Sequence, residues 1–250
     1  MRPDEILRQT GHRPWPLLKK PWVMRQTWER LLFAHWPVGF DALRPLIPAG
    51  LELERYEGEA WLGVVPFLMR DVHPRALPSL PRLSAFPELN VRTYVTAGGK
   101  AGVYFFSLDA GNRHAVDIAR RWFHLSYFYA HFAITQIGET TDYCSVRSHY
   151  GARPAILDVS YRPTDPIYVS TPGSLDAFLT ERYCLYTTDR RGRLLRGEIH
   201  HQQWPLQPAE AEFRRNTMAL AHGLALPDIP PLLHYAHHQE TLVWPLERVT

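Results

Sequence analysis

Lysine is almost missing from this chain. Lys19, Lys20 and Lys100 are the only lysines among 28 Lys and Arg residues. An enzyme that works through an imine needs an unprotonated amine in a pocket, and three candidates are few. Lys100 follows Gly98 and Gly99 in an expected hairpin turn, where it should be exposed. Lys19 and Lys20 are adjacent, an arrangement that depresses an amine pKa. They lie in a proline-flanked segment, however, and a lysine is seldom activated without burial. Cysteine is equally sparse. Cys144 and Cys184 lack CxxC spacing, which argues against a disulfide framework or a zinc site and fits a reducing cytoplasm. No apolar run approaches the roughly 20 residues of a membrane span. The stretch MRPDEILRQTGHRPWP holds no signal-peptide core, so a cytoplasmic chain is expected. There is no GxGxxG, GxxxxGKS/T or GxSxG, which leaves nucleotide binding and nucleophilic hydrolysis without support. Net charge is +3, with arginines scattered among acids and no basic stripe, a poor fit to nucleic acid.

Proline, by contrast, is frequent, 22 in 250 residues. It cuts the chain into pieces that suit short strands and tight connections. LELERY and EAWLGVVPF read as a hairpin turning at Glu57 and Gly58. NVRTYV and AGVYFFSL turn at Gly98 and Gly99, and RYCLYT and LLRGEIHHQQW at Arg191 and Gly192. CSVRSHY (144–150) is expected to pair with AILDVSY (155–161). Helices are fewer. Residues 114–123 place Ala115, Ile118, Ala119 and Trp122 in a helical stripe. FDALRPLI reads as a short helix stopped by Pro48, SLDAFLTE (174–181) as one capped by Ser174, and AEAEFRRNTMALAHG (209–223) as one ending at Gly223. Residues 1–21 read as an extended segment. Together these predict one α+β domain over 1–250, dominated by an antiparallel, barrel-like sheet.

Glu88, Asn90 and Arg92 alternate along a strand and so share one face. Inside an apolar fold such a row is costly unless it meets a ligand or itself. It is either the polar wall of a pocket, with Arg92 holding a substrate carboxylate, or an outward solvated face. His35 ends the first strand, and His124 and His131 bracket 124–131; each is a candidate pocket base or a structural imidazole. His200 and His201 face opposite ways on a strand, and His200 is taken as the pocket candidate. His234, His237 and His238 have helical i, i+3, i+4 spacing, but nothing reinforces a metal site. No metal and no cofactor are expected.

Residues 119–128, ARRWFHLSYF, resemble the active-site turn of acetoacetate decarboxylases, roughly G-R-E-x-x-G-F-P-K-K. Arg120 keeps its place, His124 takes the glycine, and Tyr127 and Phe128 fall where the lysine pair stands. DALRPLIPAGLELE (41–54) and GVYFFSLDAGNRHA (102–115) extend the likeness. Runs such as FAHWPV, AWLGVVPF, FPELNVRTYV and GEIHH are similar to an uncharacterised bacterial branch of the acetoacetate decarboxylase-like superfamily. The resemblance implies an acetoacetate decarboxylase-like β-barrel with a few peripheral helices, and a pocket at Tyr127. A phenol forms no imine, so Schiff-base chemistry is not expected. The expected function is a small-molecule pocket, working by acid–base catalysis on a small carboxylate or carbonyl metabolite. Tyr127 and Glu88 are the expected catalytic residues, and Arg92, Asn90, His35, His124 and His200 the expected binding residues. A non-catalytic binding protein is the alternative, and a lysine-dependent decarboxylase the third reading. The expected partner is a small molecule, with neither nucleic acid nor membrane, and self-association is left open.

Overall fold

Two apolar runs, LLFAHW and VVPFLM, show no in–out alternation, and the fold explains why. The computed structural model describes residues 2–79 and 84–249. Its strands are β1 (Met24–Val38), β2 (Glu52–Leu53), β3 (Ala60–Pro74), β4 (Phe86–Ala97), β5 (Lys100–Ala110), β6 (Tyr127–Ile137), β7 (Thr140–Arg147), β8 (Ile156–Pro163), β9 (Cys184–Thr188), β10 (Leu194–His201), β11 (Gln207–Asn216) and β12 (Leu232–Arg248). They join one sheet in the order β10-β9-β5-β6-β7-β8-β11-β12-β1-β3-β4-β2. Extra pairings of β10 with β12 and of β5 with β4 tie this sheet back on itself. One circuit of paired strands therefore runs β4-β3-β1-β12-β10-β9-β5. Of the remaining strands, β2 pairs with β4, and β6, β7, β8 and β11 arch over the other face of β1, β3 and β4. Strands covered on both sides read as continuous apolar runs. Leu31, Phe33, Val65, Phe67 and Met69 pack inside the circuit with Trp204 and Ala236. Their neighbours Leu32, Ala34, Trp36, Leu62 and Val64 pack the opposite way, with Tyr143, Leu157, Val159 and Tyr161.

Helices are short and peripheral: α1 (Pro3–Arg8), α2 (Phe40–Leu43), α3 (Arg113–Trp122) and α4 (Leu175–Thr180). Ser174 caps α4, its hydroxyl accepting from the Ala177 amide at 3.2 Å. The expected stripe on α3, Ala115, Ile118, Ala119 and Trp122, lies outside the described side chains. Among the described residues no helix is long and apolar enough to cross a membrane.

Three expectations are corrected. Residues 209–223 are not a helix: β11 runs to Asn216 and only a 3-10 turn, Leu220–His222, follows. Ala209, Ala211 and Phe213 pack inward while Glu210 and Glu212 are exposed, so burial on a period of two overrides the helix preference of Ala and Glu. The Glu57–Gly58 turn closes only a Tyr56–Glu59 bridge, and β2 pairs with β4 instead of β3. The N-terminal segment contains α1, started by Pro3 with Asp4 and Glu5 in its first turn, and docks Ile6 against Trp22, Leu242 and Trp244. Cys144 and Cys184 are free, on β7 and β9.

Candidate functional site

The circuit of strands encloses a cavity of about 410 Å³. Its wall is mostly apolar, with Phe67, Met69, Phe105, Leu108, Ile199 and Val243 among the lining. Two bulges shape it. Arg30 and Asp71 have φ of 51° and 46°, and each sits where strand parity slips. Met24, Gln26 and Trp28 thus line the cavity together with Leu31, and Val65, Phe67 and Met69 together with Val72.

Glu88, Asn90 and Arg92 all line this cavity. Phe86 precedes them on the same face of β4, and β3 sets Met69, Phe67, Val65 and Gly63 opposite Phe86, Glu88, Asn90 and Arg92. The apolar mouth includes Met24, Pro74 and Leu77. Beyond Arg92, Tyr94 and His35 are fully buried and do not line the cavity, which ends at the Arg92 level.

Glu88 is 2% exposed. Burial pushes its carboxyl up to about 8, against the opposing pull of hydrogen bonds from Tyr127 and Asn90. The Tyr127 hydroxyl donates to Glu88 Oε2 at 3.0 Å. Burial, with the Glu88 charge beside it, holds the Tyr127 phenol well above its ordinary value. Tyr127 is therefore a hydrogen-bond donor and not a base. Glu88 can give or take a proton near neutrality, where a general acid–base is most effective. Asn90 Oδ1 is buried without a partner, an acceptor facing the same wall.

The turn before Tyr127 contains a residue in the left-handed region. His124, in the glycine position, adopts φ 50°, the left-handed conformation a glycine would supply. Arg120 Nη1 donates to the Tyr127 carbonyl at 2.7 Å. Tyr127 pairs with Leu108 of β5, and its ring crosses to Glu88.

Arg92 is the cation of the cavity without a carboxylate partner among the described residues. Its Nη2 donates to the Leu179 carbonyl at 2.9 Å, and its Nε has no partner. Its guanidinium lies over Phe33 at 5.1 Å. Gly63 makes room for it: a Cβ there would meet His35 Cδ2 at 3.1 Å and Arg92 Cγ at 3.4 Å. Arg182, also in the wall, is paired with Glu54 and donates from Nε to the Phe178 carbonyl at 2.6 Å.

The histidine assignments are corrected. His35 lies behind Arg92, its Nε2 2.6 Å from the Tyr94 hydroxyl, which itself donates to the Leu179 carbonyl at 2.9 Å. With that proton committed, His35 Nε2 is the donor and the ring is neutral, as burial dictates. His124 turns away from the cavity to a separate polar groove with Asp117 and Arg121. His200 faces outward, 3.2 Å from Arg13 and 2.9 Å from the Ile6 carbonyl. Its neighbour His201 lines the cavity beside Ile199, its Nδ1 2.6 Å from the Gln202 carbonyl and its Nε2 3.3 Å from the Arg182 carbonyl; burial pulls it down to about 4, so the neutral ring has one N–H and donates to only one of them. Sequence reading missed His201 and Arg182. For His201 the signal was parity with apolar Ile199. His234, His237 and His238 lie on strand β12, where helical spacing does not group them.

No lysine lines the cavity. Lys19 and Lys20 are exposed, Lys20 paired with Glu247 at 2.6 Å. Lys100, expected in open solvent, is about one-fifth exposed and ion-paired to the buried Glu198.

The chain matches the model of family DUF2071, an uncharacterized conserved protein, over residues 25–240. It is 50% identical over 227 residues to the uncharacterized protein YqjF of Bacillus subtilis (strain 168), covering 91% of this chain and 93% of that one. It belongs to this family. Among solved structures it is similar to the enduracididine biosynthesis enzyme MppR complexed with the condensation product of pyruvate and imidazole 4-carboxaldehyde. The TM-score is 0.66 at 14% identity, covering 96% of this chain and 93% of that chain. Acetoacetate decarboxylase from Legionella pneumophila subsp. pneumophila str. Philadelphia 1 gives a TM-score of 0.59 at 16% identity, covering 98% and 95%. At these identities the likeness is one of fold, and the fold is acetoacetate decarboxylase-like.

Proposed function

We propose that this member of the DUF2071 family is an acid–base enzyme acting on a carboxylate-bearing carbonyl compound, without a Schiff base. The observation that carries the reading is the Glu88–Tyr127 pair, a carboxyl near 8 and its hydroxyl donor, in an apolar cavity that also holds the unpaired Arg92. We read the closed circuit of strands as a barrel with the cavity as its interior. Arg92 takes the ligand carboxylate through two parallel hydrogen bonds, stronger than neutral ones. Glu88 moves a proton at a carbon activated by a nearby carbonyl, and Tyr127 donates a hydrogen bond to Glu88 or to that carbonyl oxygen. MppR was solved with a condensation product of pyruvate, and another neighbour is an acetoacetate decarboxylase, which supports a carbonyl ligand in this fold. The absence of a cavity lysine separates this chain from any imine route.

Deuterium uptake next to the carbonyl of methyl keto acids, from pyruvate to 7-oxooctanoate, followed by NMR in D2O, tests this. The wild type should accelerate exchange for at least one member. Glu88→Gln should slow that exchange by about 100-fold or more, the usual share of general acid–base catalysis. Arg92→Ala should raise the concentration needed by about tenfold, since a charge-assisted bond contributes roughly 1.5–3 kcal/mol. Exchange no faster than without protein across the panel would leave only a binding protein.

A further inference from the structure

Resting on that reading, we infer that the ligand is an amphipathic monocarboxylate with an apolar body of about eight to ten carbons, and not a three- or four-carbon keto acid. The two polar ends of the cavity are far apart. Glu88 and Arg92 are four strand positions apart, about 13 Å along the strand at ~3.3 Å per residue. The Arg92 guanidinium is held on the Leu179 carbonyl and over Phe33, and no contact among the described residues joins it to Glu88. A pyruvate or acetoacetate carboxylate held by Arg92 would leave Glu88 and Tyr127 out of reach. Asn90 stands between them, and the rest of the wall between and beyond them is mostly apolar, from Phe67 and Leu108 to Met69, Phe86, Trp28 and Met24, with Gln26, His73, Ser84 and His201 as polar members. The volume, about 410 Å³, is room for roughly 14 waters at ~30 Å³ each, and hence for about a dozen non-hydrogen atoms. Charge sets the head group. Arg182 is neutralised by Glu54, and Arg92 is left to receive one carboxylate. Burial keeps Glu88 protonated and His201 neutral at pH 7, so neither adds a charge for a second ionic group to meet.

Calorimetric titration of butanoate, hexanoate, octanoate and decanoate, with octanol as the uncharged control, tests this on the full chain. Affinity at one site per chain should rise roughly fourfold per methylene up to octanoate, the value of a buried CH2. Octanol should bind at least tenfold more weakly than octanoate, and Arg92→Ala should bring octanoate down to the octanol level. Butanoate binding as tightly as octanoate, with its affinity still lost in Arg92→Ala, would overturn the ligand class while sparing the carboxylate anchor. A chain-length gain unchanged in Arg92→Ala would keep the apolar body and remove the carboxylate from the inference. No binding of any acid would overturn the ligand class outright.

Discussion

The proton on Glu88 is the residue-scale quantity on which the chemistry turns. Its carboxyl holds a proton up to about 8 in the folded protein, against 4.5 in the unfolded chain. Between those values the folded state binds the extra proton, so this group's contribution to stability falls as pH rises and levels off above 8. Glu88→Gln, which cannot ionise, should lack that slope. Relative to wild type, the variant should gain about 3–5 kcal/mol between pH 5 and pH 9, at about 1.4 kcal/mol per pK unit. Paired urea melts at the two pH values measure it. Parallel pH profiles would mean that Glu88 is ionised at pH 7 and unsuited to deliver a proton. The shared face of Glu88, Asn90 and Arg92 was legible in the sequence from strand parity, but not whether it lines a pocket or meets solvent: Leu89 and Val91 on the other face lie in the core, and only the second covering layer decides it. Tyr127 was legible through the motif and not through its own chemistry. Arg182 was not legible: it belongs to the connection between α4 and β9, where no periodicity aims a side chain.

Elements decide which of two neighbours matters. On β10, Ile199 and His201 line the cavity while Glu198 and His200 face the N-terminal segment. The adjacent histidines are chemically alike, and only the partner covering each face separates them. The bulges at Arg30 and Asp71 were invisible for a related reason. A non-glycine residue at positive φ leaves no mark in the sequence, yet it reverses the parity of everything after it. Glu198 shows what the outer face of β10 does. It is 2% exposed and gathers Trp15 Nε1 at 3.1 Å, Arg13 at 3.5 Å, Arg196 at 3.7 Å and Lys100, fastening the N-terminal segment to the sheet. Removing one member of a buried charge group leaves its partners uncompensated. Glu198→Ala should therefore cost about 3 kcal/mol, roughly 6–12 °C in Tm for a domain of this size. A shift below about 2 °C would mean that the apolar contacts of Ile6, Trp22 and Trp244 dock the segment without the charges.

At the scale of the molecule, the sheet-dominated fold was legible from proline punctuation and two clear hairpins, and it agrees with the decarboxylase-like structures. A barrel-like sheet was expected through the resemblance, but the pairings that tie the sheet back on itself were not legible. Closure depends on pairings between strands distant in sequence, β5 with β9 and β10 with β12, which no local pattern encodes. That closure makes the cavity, and the lysine-poor composition decides what kind of cavity it is. An acetoacetate decarboxylase-like fold here encloses a carboxyl and a phenol and no amine. The most direct test is the intact mass of the protein after incubation with pyruvate or 7-oxooctanoate and borohydride. An imine, formed with loss of water, would be reduced to a stable secondary amine and add the mass of the ligand less one oxygen. The account predicts an unchanged mass with either keto acid. A stoichiometric adduct mapped to Lys19, Lys20 or Lys100 would contradict it.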